Sequence, residues 1–189
     1  MKKALIVLLA LVFTVAGAGI GVACETGGMW RLMDEAPMNP DVADNPVMTM
    51  DGHMYMYMCK LDTVEVLADS ALPVESSVVL EDGKIYTLRA SGVADAGDSI
   101  LFDAKYSITQ KFTDPADTWT DTVTGYVSYG PKLLDLLVDG EVVDWGAYND
   151  AHVYTTEVVG SGAPLELVIY DIYYTNNIGS LIVEIYPHD

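Results

Sequence analysis

The chain has 189 residues, 51% of them hydrophobic and 20% charged, with 28 acidic against 9 basic side chains and a formal net charge of -19. A polyanion would be repelled by such a molecule, which excludes a nucleic-acid binder. The length suits one packed core with a short arm and leaves no room for two large domains.

Lys2 and Lys3 precede an uncharged run from Ala4 to Ala23, the basic head, apolar body and small-residue tail of a secretory signal peptide over residues 1–23. Export is therefore expected, to the medium, the cell surface or a periplasm. Ala16-Gly17-Ala18 and Gly21-Val22-Ala23 both offer cleavage sites. Cys24, directly after the second, invites lipidation, although Gly21 stands where a lipobox normally carries leucine. Twenty apolar residues also reach across a bilayer, so membrane contact is expected only through this end, as lipid or uncleaved anchor. Cleavage removes two lysines and no carboxylate, leaving a more acidic product whose self-repulsion salt or divalent cations would relieve. The two cysteines, Cys24 and Cys59, read first as one disulfide in an oxidising compartment, and lipidation of Cys24 would forbid it.

Residues 24–61 differ from the rest. Pro37, Pro40 and Pro46 break any helix, and eight of the 9 methionines crowd here, so an irregular arm is expected. Within it Met54-Tyr55-Met56-Tyr57-Met58 alternates with period two, placing thioethers on one side of an extended strand. With His53 and Cys59 they would suit Cu(I); the alternative is that methionines fill gaps where the arm packs on the domain.

Residues 62–189 read as strands separated by turn residues, with almost no helical periodicity, and predict an antiparallel, jelly-roll-like β-sandwich. Phe102, Ala104, Tyr106 and Ile108 alternate with Asp103, Lys105 and Ser107, and Leu181, Val183 and Ile185 with Ile182, Glu184 and Tyr186. Asp139-Gly140 signals a two-residue hairpin pairing Val138 with Glu141, Leu136 with Val143 and Leu134 with Trp145. A short helix opening at Leu133 is the alternative there. A second hairpin is expected at Asp82-Gly83, between Val78–Leu80 and Ile85–Leu88.

No enzyme signature is present: His53, His152 and His188 are scattered, and no Gly-x-Ser-x-Gly elbow, His-Glu-x-x-His or phosphate-cradling glycine loop occurs. A non-catalytic binding module is expected. Between a strand ending near Asp171 and a last strand, Asp171, Thr175, Asn176 and Asn177 supply one charged and three neutral oxygens within seven residues, a calcium-like donor set or an ordinary turn. A second polar and aromatic group, Asp144 to His152, suits a carbohydrate surface, with Trp145, Tyr148, Asn149 and His152 as candidates; Trp145 is also expected to face the core.

Asp171-x3-Thr175, Asn176-Asn177 and then Gly179-Ser180 before Leu181-x-Val183-x-Ile185 resembles the end of the small bacterial galactose-binding calcium lectins of the PA-I type. Asp82–Gly92 is similar to the early strand of that fold, so the resemblance spans residues 77 to 186 loosely. It implies a galactose-binding-like sandwich and assigns Asp171, Thr175, Asn176 and Asn177 to a calcium ion that also meets two sugar hydroxyls. The sequence departs from the family in placing Thr175 directly before Asn176, where the family has two residues between them. No tyrosine stands where the family's early loop gives a carbonyl; Asp95 and Asp98 lie there instead. The sugar-contacting His and Gln have no counterpart. The expected ligand is a carbohydrate or cell-surface glycan. The alternatives are a structural or adhesive surface protein and periplasmic copper handling through the arm.

Overall fold

Alternation of side chains across a strand lets one face be apolar and the other polar, and two such faces must find each other. In the computed structural model, which describes residues 28–33, 47–50, 53–97, 100–109, 119–122 and 132–188, they do. The first core sheet has the order β13-β6-β15-β4, formed by Val153–Val159, Ile85–Ser91, Ser180–Pro187 and Asp62–Leu67. The second has the order β12-β11-β14-β5, formed by Glu141–Val142, Leu136–Val138, Pro164–Ile169 and Val74–Val79. All their pairings are antiparallel. Val64, Val66, Leu88, Ala90, Leu181, Val183 and Ile185 from the first sheet share one buried cluster with Leu136, Val138, Leu165, Leu167 and Ile169 from the second. Burial of each large aliphatic stabilises by about 1.5–3 kcal/mol, which makes this cluster the main cohesive element of an all-β sandwich.

A third sheet, β10-β9-β8-β7, is built from Thr120–Asp121, Tyr106–Thr109, Ile100–Phe102 and Ala94–Asp95. Its presence corrects the single strand expected over Phe102–Ile108. The chain turns at 103–105, so that β8 pairs with β9, Phe102 opposite Ser107. Asp103 and Ser107, expected on a wet face, are both buried. Asp103 is buried because it organises the turn, its Oδ1 accepting the Lys105 and Tyr106 backbone N–H groups at 3.0 and 2.7 Å.

The Asp139-Gly140 hairpin has the expected register at its tip, Val138 opposite Glu141, with positive φ at both turn residues (51° and 77°) as a tight turn of this kind requires. The ladder stops at Leu137–Val142, however. Leu134 adopts φ 62° in a turn before the strand and Trp145 turns into the core, so neither the Leu136–Val143 nor the Leu134–Trp145 pair forms, and no helix opens at Leu133. Asp82-Gly83 is also a turn, yet it joins β5 of one sheet to β6 of the other, so the second hairpin is not formed.

The arm holds a three-stranded antiparallel sheet, β1-β3-β2, from Gly28–Met33, His53–Cys59 and Val47–Met50, where an irregular segment was expected. Its register sets Met29 opposite Met58 and Met33 opposite Met54. Cys59 is disulfide-bonded. Cys24, the expected partner, lies outside the described residues, as does the whole segment 1–23. Where the arm meets the sandwich, Lys60 on one side and Arg89 on the other grip the Glu184 carboxylate at 3.1 and 2.5 Å.

Candidate functional site

Antiparallel pairing sorts the loops of the first core sheet to its two ends. Val153 and Ile182 both stand opposite Ser91, and Ser180 stands opposite Leu67. The residues just beyond this level, namely His152, Gly92, Gly179 and Ala68, therefore cap the same end. Gly92 N–H donates to the His152 carbonyl (3.3 Å), and Ala68 N–H to the Gly179 carbonyl (3.0 Å). Both groups singled out in the sequence lie here.

The first is the loop from Tyr170 to Gly179, whose only regular piece is a 3-10 turn, Tyr174–Asn176. It is laced to the early loop by reciprocal backbone bonds between Asp95 and Ile178 (2.9 and 2.8 Å) and by Asn176 Nδ2 donating to the Ala96 carbonyl at 2.6 Å. The Asp171 carboxylate folds the loop around itself, accepting the Ile172 and Tyr173 N–H groups (2.6 and 3.2 Å) on Oδ1 and Asn177 Nδ2 (2.8 Å) on Oδ2. Asn177 Nδ2 also donates to the Ala68 carbonyl at 2.8 Å. Asn177 Oδ1 is buried with no hydrogen-bond partner among the described residues. An orphaned amide oxygen in such a place costs about 1–3 kcal/mol.

Of the expected metal ligands, Asp171 and Asn177 are thus brought together, Asn176 crosses to the early loop, and Thr175 is exposed on the 3-10 turn. Asp95 is adjacent but spends Oδ1 on its own turn, accepting Gly97 N–H at 2.7 Å. Asp98 lies outside the described residues. No group of three or more His, Cys, Asp or Glu gathers among the described residues, so a cation here would depend on amide and carbonyl oxygens beside one carboxylate. Three hydrogen bonds leave the Asp171 carboxylate about one of its four acceptor directions. Gly97, at φ 80°, backs directly onto the Asn176 amide, and a Cβ there would collide with it. Gly97→Ala is therefore expected to destabilise by about 1–3 kcal/mol in urea unfolding. A loss below 0.5 kcal/mol, roughly the surface-substitution range, would mean that the two loops are not in contact.

The second group is more aromatic than the sequence suggested. His152, held at φ 51°, directs Nδ1 to Asp103 Oδ2 at 2.8 Å, and the Tyr154 hydroxyl donates to the same oxygen at 2.6 Å. Above this fully buried carboxylate the rings collect. Trp119 lies 4.4 Å from the His152 ring centre and stacks on Tyr148 at 5.8 Å, while Tyr106 meets Tyr148 edge-on and Tyr154 face-on. Lys105 rims the cluster through Asp144 (2.7 Å) and the Gly146 carbonyl (3.1 Å). Among the described residues the His152 ring hydrogen-bonds only to Asp103.

Two of the four predicted contacts take other roles. Trp145 is 2% exposed and donates Nε1–H to the Leu136 carbonyl, anchoring the core. Asn149 spends its amide on Val153, accepting its N–H and donating to its carbonyl, and thereby closes the loop that carries His152. Tyr148 and His152 remain half-buried at the surface. The sequence missed Asp103, Tyr106, Trp119 and Tyr154. Asp103 gave no signal, because it fits the polar face of a regularly alternating run.

Nearby, Thr122 and Asp135 form a buried hydrogen-bonded pair, and Thr122 Oγ1 also donates to the Lys105 carbonyl at 2.9 Å. A hydroxyl has one proton, so both contacts are satisfied only if Asp135 is itself protonated and donates to Thr122. Burial pushes the Asp135 carboxyl up to about 7, against the opposing Thr122 hydrogen bond and with a further rise from Asp121. Asp135 Oδ2 has no partner among the described residues.

No family model matches the chain, and no curated protein matches it. Among solved structures the chain is loosely similar to the EclA N-terminal domain, described as a PllA-like lectin, with 24% identity over 68% of this chain and 98% of that one and a TM-score of 0.47.

Proposed function

We propose that the sandwich is a non-catalytic carbohydrate-binding module whose terminal loop takes a calcium ion. The observation that carries this reading is the buried, unpartnered Asn177 Oδ1 beside the Asp171 carboxylate. Hard cations are held by such oxygens, and an ion at this place would satisfy the orphan. Asp171 and Asn177 would hold it, with Asn176, Thr175 and the Ala96 carbonyl supplying the neutral oxygens at the rim. A bound calcium ion offers open coordination positions to vicinal sugar hydroxyls. The chain's own part is to fix the loop: Asp171 caps the turn, Asn177 ties it to Ala68, and Asn176 ties it to the early loop.

Calcium added to the full chain is expected to give saturable heat in titration calorimetry and to raise the melting temperature. Bound ion at a hundredfold over Kd stabilises by about 2.7 kcal/mol. Asn177→Leu should abolish both, while a chelator should release the chain from a glycan column. Absence of heat and of any melting shift at millimolar calcium would remove the ion from the reading. Calcium-independent retention on glycans would leave a sugar module of another kind.

A further inference from the structure

We infer that the Trp119–Tyr148–His152 ring cluster is a second sugar subsite, placed so that the natural ligand is an oligosaccharide spanning from the terminal loop to the rings. The inference rests on the carbohydrate reading above and adds to it the size of the ligand. The placement follows from the sheet. His152 precedes β13 and Gly179 precedes β15, with β6 alone between them, so the backbone ends that carry the two groups stand two strand spacings apart, about 10 Å. That is the reach of roughly two linked pyranose rings and exceeds that of one.

The chemistry fits the same class. Pyranoses offer C–H faces to aromatic rings and hydroxyls to carboxylates, amides and ammonium groups. Here three half-buried rings are bordered by Lys105, Asp144 and the Gly146 carbonyl. The cluster is also held at a cost that packing alone does not explain. His152 occupies the left-handed region at φ 51°, strain that persists only where surroundings enforce it. Asp103 enforces it from beneath, and the Asn149 clasp enforces it from the loop. Ring orientation is thereby set before any ligand arrives, which lowers the ordering cost of binding.

The test uses the full chain with calcium present and a panel of methyl hexosides together with trisaccharides ending in the same sugars. For wild type, the best trisaccharide should bind more tightly than its terminal monosaccharide. Trp119→Ala should reduce that affinity ratio about tenfold, and Tyr148→Leu should reduce it in the same direction if the first variant fails to fold. Circular dichroism identifies a variant that has lost the fold. An unchanged ratio in a folded variant, with calcium-dependent sugar binding retained, overturns the subsite and leaves the module reading standing. If wild type binds no sugar of the panel in calcium, the module reading falls, and the subsite falls with it.

Discussion

Asp103→Ala is expected to lower stability by about 3–5 kcal/mol, a large share of the 5–15 kcal/mol that holds a typical domain. The side chain is fully buried and accepts four hydrogen bonds, from the Lys105 and Tyr106 N–H groups, the Tyr154 hydroxyl and His152 Nδ1. Alanine fills none of these. The Tyr154 hydroxyl is left buried without an acceptor, and the turn between β8 and β9 loses the cap that shapes it. Asp103→Asn separates the two functions. Its carbonyl oxygen can still accept the turn N–H groups, and its NH2 can donate to the tyrosine oxygen or to the other tautomer of His152, so a loss of about half that size is expected. Urea midpoints for the two variants give the comparison. Equal losses would show that the negative charge, and not the hydrogen-bond pattern, is what the cluster needs.

Asp135→Asn should stabilise the protein above neutrality and remove a pH dependence. The folded chain holds the Asp135 proton up to about pH 7, whereas an unfolded aspartate releases it near 3.8. Between those values the native state binds more protons than the unfolded one, so stability is greatest in acid, falls as pH rises through this window, and levels off above about 7. Three pH units at 1.36 kcal/mol each give a change of about 4 kcal/mol. Lys105, Asp121 and Thr122 face this group, and Lys105 offsets part of the loss. Asparagine reproduces the protonated acid: its NH2 donates to Thr122, whose hydroxyl is then free to donate to Lys105. Unfolding free energies at pH 5 and pH 8, which span about two units of this window, should differ by about 2.7 kcal/mol less in the variant. Equal slopes would show that Asp135 is ionised throughout.

The elements read correctly from sequence are those in which the local signal and the tertiary environment agree. Leu181, Val183 and Ile185 alternate and all three are fully buried, because the last strand sits in the middle of a sheet with one face on the core. Asp139-Gly140 demands positive φ at both positions, and the chain supplies it. Asp82-Gly83 carries the same local chemistry but a different destination, since a turn does not encode whether its flanks pair with each other or with distant strands. The end that carries both loops was legible in outline: Asn176 does meet the early loop, Asp171 and Asn177 do come together, and Tyr148 and His152 do share a surface. Trp119 was not legible, because it precedes a two-residue strand too short to show any period. Asp103 was hidden for another reason. Its partners His152 and Tyr154 lie 49 and 51 positions away, and a buried carboxylate is recognisable only once they are in place.

Because β15 stands between β4 and β6, the first core sheet is joined by its latest-made member. Lys60 and Glu184, which lock the two ends of that arrangement, are 124 positions apart. Until residues 180–187 have left the ribosome, β4 lacks its ladder partner among the described strands and β6 is paired only with β13. Long-range closure of this sort is slow, and it makes assembly of this sheet wait for residues 180–187. A nascent chain stopped before residue 180 therefore holds β4 and the β6–β13 pair as separate pieces, open to chaperones until the central strand arrives.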